Sequence, residues 1–258
     1  MYKNMSRNIV IGPPGTGKTT FLKNKVDEII KAGKATSKEI GYFSFTVKAA
    51  EEIRNRVTNK KWSEAELKKL FPYFCTLHSL AYKCLRLEAH EIMDELDYME
   101  LSDMTGRKFV NKMKKGNGID ISMPTAQSQY QDTINLAYAK YPHDEDRLQK
   151  IFREVKLSDY GARNTIMQMD KDLTNFKRDR HKLEYVDYFN SFLEMKNPPH
   201  LKYLFIDEAQ DLSAHQWMVV DMIQYIAQPI ETYVAGDDDQ AIFRWAGADI
   251  EHFIAMAK

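Results

Sequence analysis

The feature that most constrains this chain is the run Gly12-Pro13-Pro14-Gly15-Thr16-Gly17-Lys18-Thr19, which fits the pattern G-x-x-x-x-G-K-[ST]. The run follows a β-branched apolar stretch that ends at Ile11, and it precedes apolar residues at helical spacing. In such a loop, glycines let backbone N–H groups face phosphates, and the positive end of the helix dipole adds to the attraction. We therefore predict a strand, a nucleotide-binding loop and a helix, in that order. A plain turn before a helix is the alternative.

Residues of the loop have different predicted roles. Lys18 is expected to reach the β- and γ-phosphates of a nucleotide, and the Thr19 hydroxyl to ligate Mg²⁺. The predicted nucleotide-binding set is Gly12, Pro13, Pro14, Gly15, Thr16, Gly17, Lys18, Thr19 and Thr20.

Two adjacent acids, Asp207 and Glu208, follow a short apolar run over residues 203–206. Such a run is typical of a buried parallel strand, and ligands of open parallel sheets bind at the carboxyl ends of strands. We expect Asp207 on the magnesium side and Glu208 to position or deprotonate a water. Two solvated acids at a strand end are the alternative.

The bulk composition is that of a soluble globular protein of 258 residues, with 43% hydrophobic and 29% charged residues. No apolar run approaches the roughly 20 residues of a membrane span, and the N-terminus does not predict a signal peptide. Cys75 and Cys84 lack metal-ligand spacing and indicate reduced thiols. We expect a cytoplasmic, intracellular protein without a membrane partner, and a phage genome is left open as its source. The formal net charge is zero, so any positive groove must be local.

The order of elements predicts an α/β fold. Strand-like stretches cover residues 7–12, 39–45, 73–77, 202–207 and 231–236, and helical patterns separate most of them. Residues from about 88 to 182 show helical apolar spacing, with breaks expected at 116–118 and 141–143. We predict an ATP-binding domain from residues 1–87 and 183–258, with a mostly α-helical subdomain, 88–182, inserted in it.

Two basic clusters lie in this insertion. The first contains Arg107, Lys108, Lys112, Lys114 and Lys115, and the second Lys171, Lys177, Arg178, Arg180 and Lys182. Each cluster indicates either a solvated helix face or a contact with a phosphate backbone.

Four further segments carry a family resemblance. Residues 45–56 read F-T-V-K-A-A-E-E-I-R-N-R, residues 76–82 read T-L-H-S-L-A-Y, residues 207–211 read D-E-A-Q-D, and residues 236–249 read G-D-D-D-Q-A-I-F-R-W-A-G-A-D. With the loop at 12–19, they make the chain resemble, over essentially its whole length, a superfamily 1 DNA helicase of the UvrD/Rep/PcrA type.

The resemblance implies a RecA-like P-loop sheet and the first motor domain of an ATP-dependent DNA helicase or translocase of the 3'-5' type. The implied cofactors are ATP and Mg²⁺, and the implied partner is single-stranded DNA. Gln240 would contact the γ-phosphate and act in catalysis together with Lys18 and Glu208. The resemblance implies that Phe45, Phe243 and Trp245 contact bases of the DNA. It implies that Thr46, Thr76 and His78 contact the backbone of the strand.

The chain also departs from the family pattern. Val47 and Ala246 stand where the family has asparagine and arginine, and only eleven residues precede Gly12, where the family has an adenine-reading glutamine upstream. No counterpart of the second RecA-like domain precedes Lys258. We therefore expect a second RecA-like domain or a missing C-terminal half as partner, and weak hydrolysis by the isolated chain.

Two other classes of function stay open. One is a P-loop ATPase of another kind, such as a clamp-loader or packaging ATPase. The other is a nonenzymatic module that binds single-stranded DNA or regulates a partner.

Overall fold

The computed structural model describes residues 6–58, 62–110, 126–237 and 248–256. The chain divides into two compact units. The first, called the sheet unit, comprises Met1–Leu85 and Phe189–Lys258, and the second, called the helical unit, comprises Arg86–Tyr188. The folding domains predicted above, with boundaries after residues 87 and 182, stay a prediction.

A five-stranded parallel sheet forms the centre of the sheet unit. Its strands are β1 (Ser6–Ile11), β2 (Ile40–Phe43), β3 (Phe74–Cys75), β4 (Tyr203–Ile206) and β5 (Glu231–Gly236). They lie in the order β1-β5-β4-β2-β3, and each neighbouring pair is parallel. The predicted α/β fold is confirmed, and all strands end at the same edge of the sheet. Every residue of β2 and β4 is buried, which explains their continuous apolar sequences.

Helices account for most of the remaining described residues. In chain order they are α1 (Lys18–Lys31), α2 (Val47–Val57), α3 (Glu64–Leu70), α4 (Leu77–Leu85), α5 (Glu95–Thr105), α6 (Ala126–Lys140), α7 (Arg147–Glu154), α8 (Tyr160–Arg180), α9 (Tyr185–Met195), α10 (Ala214–Ala227) and α11 (Ile250–Met256). Short 3₁₀ turns cover Ser37–Glu39, Ala89–Glu91 and Ala209–Asp211. In the part of the chain that the structure covers, no helix has the length and apolar character needed to span a bilayer.

Local sequence signals explain several helix ends. Helix α10 begins after Ser213, whose side chain accepts from the backbone N–H of Gln216 in a capping box. Helix α1 ends at Lys31, two residues before Gly33, which has a φ of 66°. A left-handed φ favours glycine, so Gly33 suits the turn that ends this helix.

One face of the sheet carries a row of aromatic rings. Tyr42 pairs in register with Phe74 on one side and Phe205 on the other, and Phe205 pairs with Tyr233. The Phe205 and Tyr233 rings stack with centroids 4.9 Å apart. Apolar side chains of α1, Leu22, Val26 and Ile29, belong to the same core cluster. Burial of each large apolar side chain contributes about 1.5–3 kcal/mol, so this face anchors the strands that end at the candidate site.

The helical unit has a separate core. Helix α8 contributes buried apolar residues at helical spacing: Ile166, Met169, Leu173 and Phe176. The amphipathic pattern that predicted helices in this segment therefore corresponds to real packing.

Ion pairs involve most of the second basic cluster. The side chain of Lys177 is only 11% exposed and lies 3.1 Å from Glu184 and 2.9 Å from Asp187. Burial acts to lower the pKa of Lys177, but these two carboxylates raise it overall. Lys182 pairs with Asp97 at 2.8 Å. The cluster is thus partly a buried network, which neither reading of the sequence described. In the first cluster, Lys112, Lys114 and Lys115 fall outside the described residues.

Candidate nucleotide and nucleic-acid site

All predicted motifs of the sheet unit that the structure describes meet one edge of the sheet. Because the five strands are parallel, the residues that follow them lie along that edge in the strand order. They are Gly12 after β1, Asp237 after β5, Asp207 after β4, Ser44 after β2 and Thr76 after β3. This edge is the usual ligand-binding edge of an open parallel sheet.

Hydrogen bonds between residues of the glycine-rich loop stabilise its turn. The Thr16 hydroxyl donates to the Pro13 carbonyl over 2.7 Å. Gly15 and Gly17 have φ values of 77° and 86°, which other residues adopt only with strain. Gly17 is also the N-cap of α1, so no side chain caps the first N–H groups of that helix. These N–H groups stay available to an anion, as the phosphate-loop prediction requires.

Lys18 begins α1 and folds back over the loop. Lys18 is buried, and its ammonium donates to the Pro13 carbonyl over 3.1 Å and to the Gly12 carbonyl. The positive charge therefore lies against the loop that would hold phosphates. Thr20, the last residue of the predicted set, is exposed in the first turn of α1.

Asp207 is a buried acid of the site that accepts three hydrogen bonds. It is 2% exposed, and its Oδ2 accepts from the Thr19 hydroxyl over 3.0 Å and from the Tyr42 hydroxyl over 2.7 Å. The backbone N–H of Glu208 donates to Oδ1 over 3.1 Å. Burial raises the pKa of Asp207, the hydrogen bond from Tyr42 opposes that shift, and the nearby charge of Glu208 adds to it.

The residues present fit a magnesium ion. Thr19 and Asp207 offer oxygen atoms, which Mg²⁺ prefers, and Mg²⁺ commonly takes one or two protein ligands together with phosphates and waters. Among the described residues, no group of three or more His, Cys, Asp or Glu side chains could hold a metal alone. A magnesium ion at Thr19 and Asp207 would thus depend on a nucleotide for further ligands.

Gln210 connects the acids that follow β4 to the end of β5. Its Nε2 donates to Glu208 over 2.8 Å and to Asp211 over 3.4 Å, and its Oε1 accepts from the Asp237 N–H over 3.0 Å. Glu208 itself has a left-handed φ of 55°. Burial, and then the charge of Glu208, raise the pKa of Asp211 to about 6. The sequence motif D-E-A-Q-D contained Gln210, but the motif alone assigned it no role.

Two of the predicted DNA-contacting hydroxyls cap helices. The exposed Thr46 precedes α2, and its Oγ1 accepts from the Ala49 N–H over 3.2 Å. The buried Thr76 precedes α4, and its Oγ1 accepts from the Ser79 N–H over 3.2 Å. Each hydroxyl therefore has a structural function already, and contact with a DNA backbone stays a prediction for both.

His78 and Phe45 lie at the same end of the sheet as these caps. The half-buried His78 ring stacks on Phe189 with centroids 4.2 Å apart. Burial, and then the charge of His215, lower the pKa of His78 to about 3. The lowered pKa favours the uncharged imidazole, and contact of His78 with a DNA backbone stays a prediction. Phe45 is half-buried after β2.

The remaining predicted residues, Gln240, Phe243 and Trp245, lie outside the described residues. The next described residue, Ala248, forms an antiparallel bridge with Ser213. The roles of Gln240, Phe243 and Trp245 stay predictions that rest on the resemblance.

Comparisons with known proteins show what the chain is similar to. The family described as UvrD/REP helicase N-terminal domain matches residues 2–258. The ATP-dependent DNA helicase PcrA of Staphylococcus epidermidis is 24% identical over 260 residues, which make up 96% of this chain and 33% of that protein. The ATP-dependent DNA helicase PcrA of Staphylococcus aureus is 24% identical over 262 residues, covering 97% of this chain and 34% of the relative. The chain spans about a third of the length of these curated relatives.

Proposed function

The chain belongs to the UvrD/REP helicase N-terminal domain family, and from that premise we propose that it is the first motor domain of an ATP-dependent DNA helicase or translocase. The observation that carries the proposal is the 3.0 Å hydrogen bond between Thr19 and Asp207. It joins a phosphate-binding loop to a buried carboxylate, the pairing that nucleotide hydrolysis with magnesium requires.

For the described residues, placement at the sheet edge supports each proposed catalytic role. Loop N–H groups and Lys18 bind the phosphates of ATP, while Thr19 and Asp207 hold Mg²⁺, which neutralises charge on the phosphates. Glu208 orients the attacking water and takes its proton, and its carboxylate is held in place by Gln210. Gln240, which lies outside the described residues, is proposed from the resemblance to contact the γ-phosphate.

Single-stranded DNA is the proposed second ligand. Phe45 and Thr46 follow β2, and Thr76 and His78 follow β3, so they lie beside each other at the edge that also carries the nucleotide loop. Phe243 and Trp245 supply stacking platforms, which tolerate any base sequence. The polarity implied by the resemblance is 3'-5'.

A second RecA-like domain is the proposed partner for hydrolysis. The chain spans about a third of its relatives, so the complete motor needs further sequence. An arginine finger from such a domain contributes about 10³–10⁵ in rate in comparable phosphoryl transfer. The 258-residue protein should therefore hydrolyse ATP slowly and unwind little DNA by itself.

ATP hydrolysis, measured with and without single-stranded DNA, tests the proposal against the other two classes. A helicase motor domain predicts slow hydrolysis that depends on Lys18 and rises only a little when DNA is added. A P-loop ATPase of another class predicts hydrolysis that is indifferent to DNA. A nonenzymatic module predicts DNA binding with no hydrolysis above that of Lys18→Ala. The control is Lys23→Ala, which removes a lysine of the same helix that pairs with Asp27.

A further inference from the structure

Tyr42 belongs to none of the sequence motifs, yet its side chain contacts the proposed magnesium carboxylate. Its hydroxyl donates to Asp207 Oδ2 over 2.7 Å, and the residue is 1% exposed. The two residues are 165 positions apart in sequence. A buried phenol that donates to a buried carboxylate is a specific polar contact inside an otherwise apolar strand.

Strand register explains how this contact arises. Tyr42 on β2 pairs directly with Phe205 on β4, and their rings are stacked with centroids 6.0 Å apart. Asp207 lies two residues beyond Phe205, which is about 6.6 Å further along the strand direction on the same face. A tyrosine ring that points toward the carboxyl edge spans this distance, and its hydroxyl then meets the carboxylate.

Packing fixes the position of the Tyr42 ring. Phe74 lies on its other side with ring centroids 5.5 Å apart, so the tyrosine is held between two aromatic neighbours. A donor that is held in this way fixes its acceptor, because neither partner can rotate without breaking the bond or the packing.

Asp207 Oδ2 has two different hydroxyl donors. Thr19 belongs to the nucleotide loop and would itself become a magnesium ligand, whereas Tyr42 belongs to strand β2 of the sheet. The bond from Tyr42 is therefore the one that does not depend on the loop. Groups that hold a metal ligand in this manner typically affect metal affinity by about 10–100-fold when they are removed.

We propose that Tyr42 is a positioning residue for magnesium, whose hydroxyl holds the Asp207 carboxylate in the orientation that completes the Mg²⁺·nucleotide site. This inference rests on the proposed function, since it concerns the same site. Tyr42 touches neither nucleotide nor metal and acts only through Asp207.

The test compares Tyr42→Phe with the wild-type protein and with Tyr233→Phe. The phenylalanine keeps the ring of Tyr42 and removes only its hydroxyl. Tyr233 lies in the same aromatic row, but its hydroxyl donates to Glu231, so it is a matched control. Two quantities are measured at one alkaline pH: the Mg²⁺ concentration that half-saturates binding of a fluorescent nonhydrolysable ATP analogue, and the affinity for that analogue in EDTA.

The expected result is a Mg²⁺ midpoint raised by about 10–100-fold in Tyr42→Phe, with unchanged affinity in EDTA and with Tyr233→Phe like wild type. An unchanged Mg²⁺ midpoint in Tyr42→Phe would overturn the inference and leave the proposed function standing. Equal losses with Mg²⁺ and in EDTA, or equal shifts in both variants, would assign Tyr42 a purely structural role and also overturn it. If the wild-type protein binds the analogue equally well with Mg²⁺ and in EDTA, the proposed function and this inference are both overturned.

Discussion

The hydroxyl of Thr19 donates to Oδ2 of Asp207 over 3.0 Å, although 188 positions separate the two residues in sequence. The contact joins the start of α1 to the end of β4, and β5 lies between β1 and β4 in the sheet. Two motifs that are each common in unrelated contexts therefore form one site.

Glu208→Gln should keep nucleotide binding and lose hydrolysis. The amide keeps an oxygen that can accept from Gln210, but it cannot take a proton from water, and a general base typically contributes about 10²–10⁴ in rate. Single-turnover hydrolysis at high protein concentration measures the effect, with the exposed Glu251→Gln as control. Equal rates in Glu208→Gln and wild type would show that another group activates the water.

Gly236→Ala should reduce both stability and hydrolysis. A Cβ at this position would lie 2.7 Å from the Phe253 ring and 2.9 Å from Gln210 Oε1, so the amide that holds Glu208 would be displaced. Overpacking of this kind costs about 1–3 kcal/mol.

The matched control is Gly41→Ala, whose Cβ would have its nearest neighbours in Leu201, at 2.7 Å, and in the Phe43 ring, at 3.0 Å. Urea unfolding should show losses in both variants, whereas hydrolysis should fall only in Gly236→Ala. A Gly236→Ala protein that is destabilised but fully active would mean that the position of Gln210 does not matter for hydrolysis.

The parts of this arrangement that could be predicted are those with a local sequence pattern. The loop at 12–19 and the apolar strands have short-range patterns, so their existence and approximate bounds followed from the sequence. The contact of Tyr42 with Asp207 depends on strand register, which no local pattern determines. Lys177 likewise belongs to a basic run in sequence, and only the fold brings Glu184 and Asp187 to its ammonium.

Asp211→Asn should change how stability depends on pH. The pKa of Asp211 is raised from 3.8 to about 6 by burial and then by the charge of Glu208. A raised folded-state pKa means that the stabilisation from protonation is complete below pH 3.8 and is lost as the pH rises to about 6. Wild type should therefore lose about 1–2 kcal/mol relative to Asp211→Asn over this window, after allowance for partial solvent screening.

Urea unfolding from pH 3.5 to 8, without metal or nucleotide, checks this difference, and Glu251→Gln controls for removal of an acid. A constant difference between wild type and Asp211→Asn at every pH would show that Asp211 titrates like an exposed carboxyl group.

Trp245→Ala should weaken binding of single-stranded DNA by about 1–3 kcal/mol, irrespective of base sequence, if its indole stacks on a base. The control is Trp62→Ala, which removes a tryptophan that is 49% exposed and has no predicted DNA contact. Fluorescence anisotropy at low ionic strength measures affinity, and melting temperature separates the two roles of Trp245. A core role would instead cost roughly 3–5 kcal/mol of stability. Unchanged DNA affinity in Trp245→Ala would show that Trp245 does not stack on a DNA base.

Calorimetric titration with a nonhydrolysable ATP analogue, in Mg²⁺ and in EDTA, tests the central claim most directly. The wild-type protein and the Lys23→Ala control should bind the analogue more tightly with Mg²⁺ than in EDTA, because Thr19 and Asp207 are proposed to hold the ion against the phosphates. Lys18→Ala should show no tight binding in either condition, because it lacks the ammonium that lies against the loop. Lys18→Ala binding that equals wild type, or wild-type binding that is the same with and without Mg²⁺, would contradict the assignment of this sheet edge as a magnesium–nucleotide site.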